Sequence, residues 1–134
     1  FSFMEKFSAL GNLVLRVGIG AMIAFHGYPK FIGGVEKWEQ LGSAMSNLGV
    51  DYVPVFWGFC AAVVEFFGGI ALILGLFSRL SAFLLCFNMV VAATMHLSQG
   101  DSLSDASHAI ELGIVFFALF ILGAGRYSID HKLG

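Results

Sequence analysis

Charge is the scarcest property of this sequence. Asp, Glu, Lys and Arg make up 12% of its 134 residues, while 58% are hydrophobic and the mean hydropathy is +0.87. A water-soluble domain carries about 25% charged residues, so this chain lacks the polar surface a soluble globule needs. The net charge is −2 and no basic run or aromatic-interleaved basic patch occurs, which excludes nucleic acid as a partner. Cysteine is nearly absent too: Cys60 and Cys86 are the whole complement, with no CxxC, and a thiol relay has no support. They fall on different predicted helices at depths that differ by roughly 10 Å at the helical rise, too far for a disulfide. Both are expected to be inert buried thiols. Metal-ligand spacing is also missing. The single His108-x-x-Glu111 reverses the Glu-x-x-His of ferritin-like di-metal bundles and has no second copy. His26 and His96 could in principle be paired axial ligands, yet neither haem nor metal is expected, nor any covalently bound cofactor.

What is present is apolar sequence in four long stretches, at residues 7–28, 54–76, 79–97 and 105–124. About 20 residues suffice to cross a hydrocarbon core of ~30 Å. The first stretch is too long for a removable signal peptide and carries Arg16; it is expected to end at Gly27 and Pro29. Pro54 sits in the first turn of the second, Gly75 closes it, and Ser104 or Asp105 can cap the fourth. Fifteen Phe and 17 Gly suit lipid-facing aromatic surface and close helix contacts. Between the first two stretches, Val35, Trp38, Leu41, Met45 and Leu48 recur at spacings of three and four, with Glu36, Lys37, Glu39, Gln40 and Asn47 opposite. That pattern predicts a short amphipathic helix over 35–48, lying in the headgroup region or over the bundle mouth. The expected fold is therefore all-α: one membrane domain over residues 1–134, a four-transmembrane-helix up-and-down bundle with an interfacial helix between helices 1 and 2.

Lys6, Arg79, Arg126 and Lys132 fall at the end that holds both termini, against Lys30 and Lys37 at the other, where Glu36, Glu39, Asp51, Asp101 and Asp105 also lie. The positive-inside bias then places both termini in the cytoplasm.

Four segments, LRVGIGAMIAFHGYPKFIGG, VEFFGGIALILGLFSRLSA, MHLSQG and ELGIVFFALFILGAGRYSID, carry a joint pattern. It runs HG-x-x-K after the first span, E-x-x-GG inside the second, L-G-L-x-x-R at the next turn and G-x-G-R-x-S-x-D at the end. In these features the chain resembles the DoxX family of small four-helix membrane proteins. The resemblance implies an integral protein of a prokaryotic inner (cytoplasmic) membrane, a subunit of a quinone-linked respiratory oxidoreductase complex. In that role it provides a quinone site or a membrane anchor for a redox partner. No soluble redox domain or recognisable cofactor motif accompanies the bundle. A non-catalytic scaffold or assembly subunit is the alternative reading, and a small-molecule or proton conduit a third.

Ionisable residues inside the spans are the candidates for chemistry, since one at a helix centre costs roughly 2.5–3.5 kcal/mol even on insertion scales. Arg16 and Glu65 lie near the middle of neighbouring antiparallel spans, so a buried ion pair or network is expected, extended by the mid-span Asn88. Its role is either to fix register or to relay protons through Glu65. A second cluster, His26, Lys30, His96, His108 and Glu111, should gather at the end away from the termini. His108 and Glu111 share a helix face, and an imidazole beside a carboxylate suits proton exchange with a bound quinol, the ligand the resemblance implies. The remaining reading is interface residues satisfied by water. At the opposite face, Arg79, Arg126 and Asp130 are expected to anchor to headgroups or dock a partner subunit, with Arg126 and Asp130 paired or capping the last turn. His131 is expected in solvent.

Overall fold

The computed structural model describes residues 2–49, 52–100 and 103–134. Asp51, Asp101 and the side chains of Asn47, Leu48 and Asp105, to which charge, amphipathic and capping roles were assigned above, lie outside the described residues. Among the described residues the chain is all helical: α1 (Phe3–Ile32), α2 (Gly34–Gly42) with a 3-10 turn (Ser43–Leu48), α3 (Pro54–Leu74), α4 (Ser78–Ser98), α5 (Leu103–Leu122) and α6 (Ile129–Leu133). Helices α1, α3 and α4 are long and apolar enough to cross a bilayer, and α5 adds a shorter apolar helix over Ala106–Leu122.

Local chemistry accounts for most boundaries. Ser2 and Glu5 form a capping box at the start of α1, each side chain accepting from the other's backbone N–H at 3.1 and 2.9 Å. Pro54 occupies the first turn of α3, where a missing N–H goes unnoticed. Gly75 ends α3 in the left-handed conformation, φ +70°, the ordinary C-terminal glycine stop.

The expected stop of the first helix at Gly27 and Pro29 is not one. Helix α1 runs through Pro29 to Ile32. A proline in the last turn removes one intrahelical bond, and tertiary contacts hold the turn beyond it. Trp38 Nε1 donates to the Lys30 carbonyl at 3.1 Å, and Phe31 stacks on Phe66 with centroids 5.8 Å apart. That extra turn is what carries Lys30 onto the bundle's inner face.

Helices α1 and α3 are set against each other through glycine. A Cβ on Gly20 would come 2.6 Å from the Gly69 carbonyl oxygen, and one on Gly27 would come 2.6 Å from the Phe66 nitrogen. In lipid, helices gain no hydrophobic drive from touching, so close van der Waals approach decides where they pack. The same device seats α2 on α3: Gly42 lies against the Pro54 carbonyl and Gly58 against that of Trp38. Ile23, Leu72, Ala82, Leu85, Met89, Ala109, Phe116 and Leu119, from all four long helices, close the centre.

Candidate functional site

The two intramembrane charges expected to meet do not. Arg16 is 1% exposed and Glu65 is 6% exposed, so both turn inward, but each has its own partners. Arg16 Nη1 donates to the carbonyls of Leu72 and Ile73 at 2.8 and 3.3 Å, Nη2 to that of Tyr127, and Nε to Asn12 Oδ1 at 3.3 Å. Glu65 instead holds Lys30, whose Nζ lies 2.8 and 3.1 Å from the two carboxylate oxygens. Register is the reason. Pairing Arg16 with Glu65 assumed that span midpoints align, whereas α1 has 30 residues and α3 has 21. The glycine contacts place Gly27 beside Glu65, and Arg16 falls opposite Leu72, roughly 10 Å further along α3.

The consequence is two separate polar centres. One lies at the end holding the termini. There Asn12 Nδ2 donates to the Gly123 carbonyl at 3.1 Å, so the Asn12–Arg16 pair ties α1 to the chain leaving α5. Asp130 accepts from the backbone N–H of Phe77 and Ser78 at 2.7 and 2.8 Å. Phe77 sits at φ +49°, a left-handed conformation that costs about 1–2 kcal/mol for a residue with a side chain; the carboxylate caps α4 there and holds that turn. Arg79 reaches the Phe120 and Ile121 carbonyls at 3.2 and 3.5 Å, a cation on the negative end of α5. Asp130 is therefore the cap of another helix rather than of its own last turn. Arg126 and His131 are exposed at this face.

The other centre is a cavity of about 830 Å³ at the opposite end, roofed by α2 and the 3-10 turn and walled by α1, α3, α4 and α5. Of the expected cluster, His26, Lys30, His96 and His108 line it, and the His26 and His108 rings stand 6.4 Å apart. Glu111 does not line it; that side chain is exposed on α5. Glu65 and Asn88, expected at mid-bundle with Arg16, line this cavity instead. Asn88 Nδ2 donates to the Ala61 carbonyl at 3.1 Å, pinning α4 to α3. Cys60 is a free thiol on the wall. Among the described residues no three His, Cys, Asp or Glu side chains converge as metal ligands.

Sequence reasoning missed the cavity's other polar groups, Lys37, Gln40, Ser43 and Gln99. The spacing puts Lys37 and Gln40 on the face opposite the apolar residues of the amphipathic helix. A usable signal was there: Lys37 and Gln40, like His96 and Gln99, are three apart and so share one helix face. The apolar walls, among them Ile23, Leu41, Val64, Leu84, Ala92 and Leu112, give the whole the character of a small-molecule site: a largely apolar chamber with polar groups converging at one end.

The DoxX family profile matches residues 11–97, from α1 through α4. An uncharacterized protein of Haemophilus influenzae is 30% identical over 135 residues, covering 96% of this chain and 95% of that protein. The inner membrane protein YqjF of Escherichia coli is 30% identical over 133 residues, covering 97% of each. No solved structure gives a significant match. With the profile spanning most of the chain and relatives aligned end to end, this chain belongs to the DoxX family and is an integral membrane protein.

Proposed function

We propose that the chain is a four-span inner-membrane subunit of a quinone-linked oxidoreductase complex, with the cavity under α2 as its quinone site. The observation that carries this reading is the cavity itself. Its ~830 Å³ lies within the range of small-molecule pockets, about 300–1,000 Å³. A quinone is an apolar body with two polar oxygens at its head, and the site matches that division. Neutral imidazoles of His26, His96 or His108 can donate to a ring oxygen, and the Lys30–Glu65 pair at the same end can exchange a proton with it. A quinol bound there would supply two electrons to a redox group of a partner subunit and would release its two protons to these side chains and water. Helix α5 supplies the fourth crossing. The Escherichia coli relative, named an inner membrane protein, supports a bacterial inner membrane, and the excess of Lys and Arg at the termini end supports termini in the cytoplasm.

The test is gentle extraction from native membranes, followed by mass spectrometry of the proteins and lipid-soluble molecules that stay bound. Co-purifying quinone, lost in Glu65→Gln and in His108→Ala, is the expected result. A correctly folded protein that retains neither quinone nor a redox partner refutes the reading. A non-catalytic assembly subunit is the second reading, favoured because Arg16, Arg79 and Asp130 all bond within the chain. Ala92→Trp, which fills the cavity, separates the two. Turnover of the assembled complex stops if the cavity is a quinone site and continues if the chain only assembles it.

A further inference from the structure

We infer that the cavity selects amphiphiles with an anionic head and receives them sideways, from the bilayer, through the gap between α3 and α4. This rests on the cavity being a ligand site, as the proposed function does, but not on the ligand being a quinone.

Charge is the first argument. Among the described lining residues stand two ammonium groups, Lys30 and Lys37, against one carboxylate, Glu65. Lys30 is matched by Glu65 at 2.8 Å. Lys37, on the roof, has no ion-pair partner among the described residues. Glu36 and Glu39 on the same helix, and Glu111 on α5, are exposed and do not line the cavity. The other lining titratable groups are the imidazoles of His26, His96 and His108 and the Cys60 thiol. Protonation of an imidazole adds positive charge. A partly desolvated ammonium without a counterion favours an anion, and the low-dielectric walls strengthen that attraction. The head can be a carboxylate or a phosphate ester, since either supplies the charge and the acceptors.

The walls give the rest of the ligand and its route. Leu84 and Phe87 of α4 line the cavity and remain 38% and 46% exposed. Large lining side chains that keep this much accessible surface mark the thinnest stretch of the wall, where the opening lies. Across it on α3 stand the small or short Cys60, Ala61 and Val64. On the roof side of Leu84 and Phe87, the Asn88–Ala61 hydrogen bond closes α4 on α3, so the opening lies beyond it, deeper in the acyl region. An amphiphile can therefore lay its head beneath the roof, near Lys37, and leave its chain through this gap in the acyl region. That placement keeps both parts in the medium each prefers.

The full chain in lipid nanodiscs, with Trp38→Phe leaving Trp57 of the cavity wall as the one indole, reports occupancy by quenching. The probes are bromine-labelled palmitate, hexadecyl phosphate, hexadecanol and hexadecylamine, which share a chain and differ in head. The two anions should quench at about tenfold lower concentration than the alcohol, the scale of one hydrogen bond to a charged group, and the amine should be weakest. Lys37→Met should abolish that preference and Lys37→Arg should keep it. A lead for palmitate or for hexadecyl phosphate identifies the head as carboxylate or phosphate. Equal quenching by anions, alcohol and amine overturns the charge selection. Ala61→Leu should slow the onset of quenching, and an unchanged rate overturns the lateral route. Ubiquinone is the separating arm. If it binds and the anions show no preference, this inference falls and the quinone reading stands; if the anions bind and ubiquinone does not compete, the reverse holds.

Discussion

Removing Lys30 should damage this protein more than removing the charge of Glu65, although the two form one pair. The asymmetry follows from exposure: the Lys30 side chain is 32% exposed and that of Glu65 is 8% exposed, with Nζ 2.8 Å from the nearer carboxylate oxygen. Lysine has a flexible stem, and after Glu65→Gln its ammonium can swing toward the interface. The carboxylate has no such escape. In Lys30→Met it is left buried and unpaired, or must take up a proton. Breaking a fully buried pair costs about 3–5 kcal/mol and an exposed pair contributes about 0–1 kcal/mol. This pair lies between those limits, so Lys30→Met should cost about 2–3 kcal/mol, within the range for charged-group hydrogen bonds and their loss. Glu65→Gln should cost about 1 kcal/mol, because the ammonium can either stay on the amide oxygen or turn to the interface. Lys30→Met combined with Glu65→Leu should recover most of the loss, since an apolar replacement of both partners leaves nothing unsatisfied. Reversible unfolding in bicelles, read for Lys30→Met, Glu65→Leu, their double variant and the parent, gives the coupling by a double-mutant cycle, with Glu65→Gln measured beside it. If the losses of Lys30→Met and Glu65→Leu simply add in the double variant, the pair is not coupled and the account of this part of the cavity wall is wrong.

Arg16→Met should lower stability by about 3 kcal/mol, because several buried carbonyls lose a charged donor at once; unfolding in the same bicelles measures it. Asp130→Ala removes the acceptor that holds the amides of Phe77 and Ser78, at a cost of about 1–2 kcal/mol typical of a lost cap. Limited proteolysis should then cut the chain after α5 faster, while ligand retention at the far end stays unchanged. Gly58→Leu drives a side chain into the Trp38 carbonyl, so α2 should lift from α3, and tryptophan fluorescence should shift to the red. Glu111→Gln should leave ligand binding unchanged, because that side chain faces away from the cavity. Loss of binding in a folded Glu111→Gln variant would return it to the site.

The amino-acid pattern alone determined the medium and the elements. Long apolar runs have no other stable home than lipid, and in lipid the backbone must satisfy its own hydrogen bonds, which leaves helices. It also determined that Arg16 and Glu65 turn inward, since burial in protein is their alternative to hydrocarbon. It marked the end of the bundle where His26, Lys30, His96 and His108 gather, because antiparallel spans bring alternate helix ends together. What it left open was register. Sliding α1 along α3 by two turns changes no local propensity, yet it decides whether Glu65 meets Arg16 or Lys30. The close packing of Gly20 on Gly69 and of Gly27 on Glu65 settles that, and such contacts exist only between helices already side by side. The extension of α1 through Pro29 was hidden for the same reason, its last turn being held by Trp38 and Phe66 from other elements. So too was the cavity. A void is defined by what surrounds it, and no single helix face carries its shape.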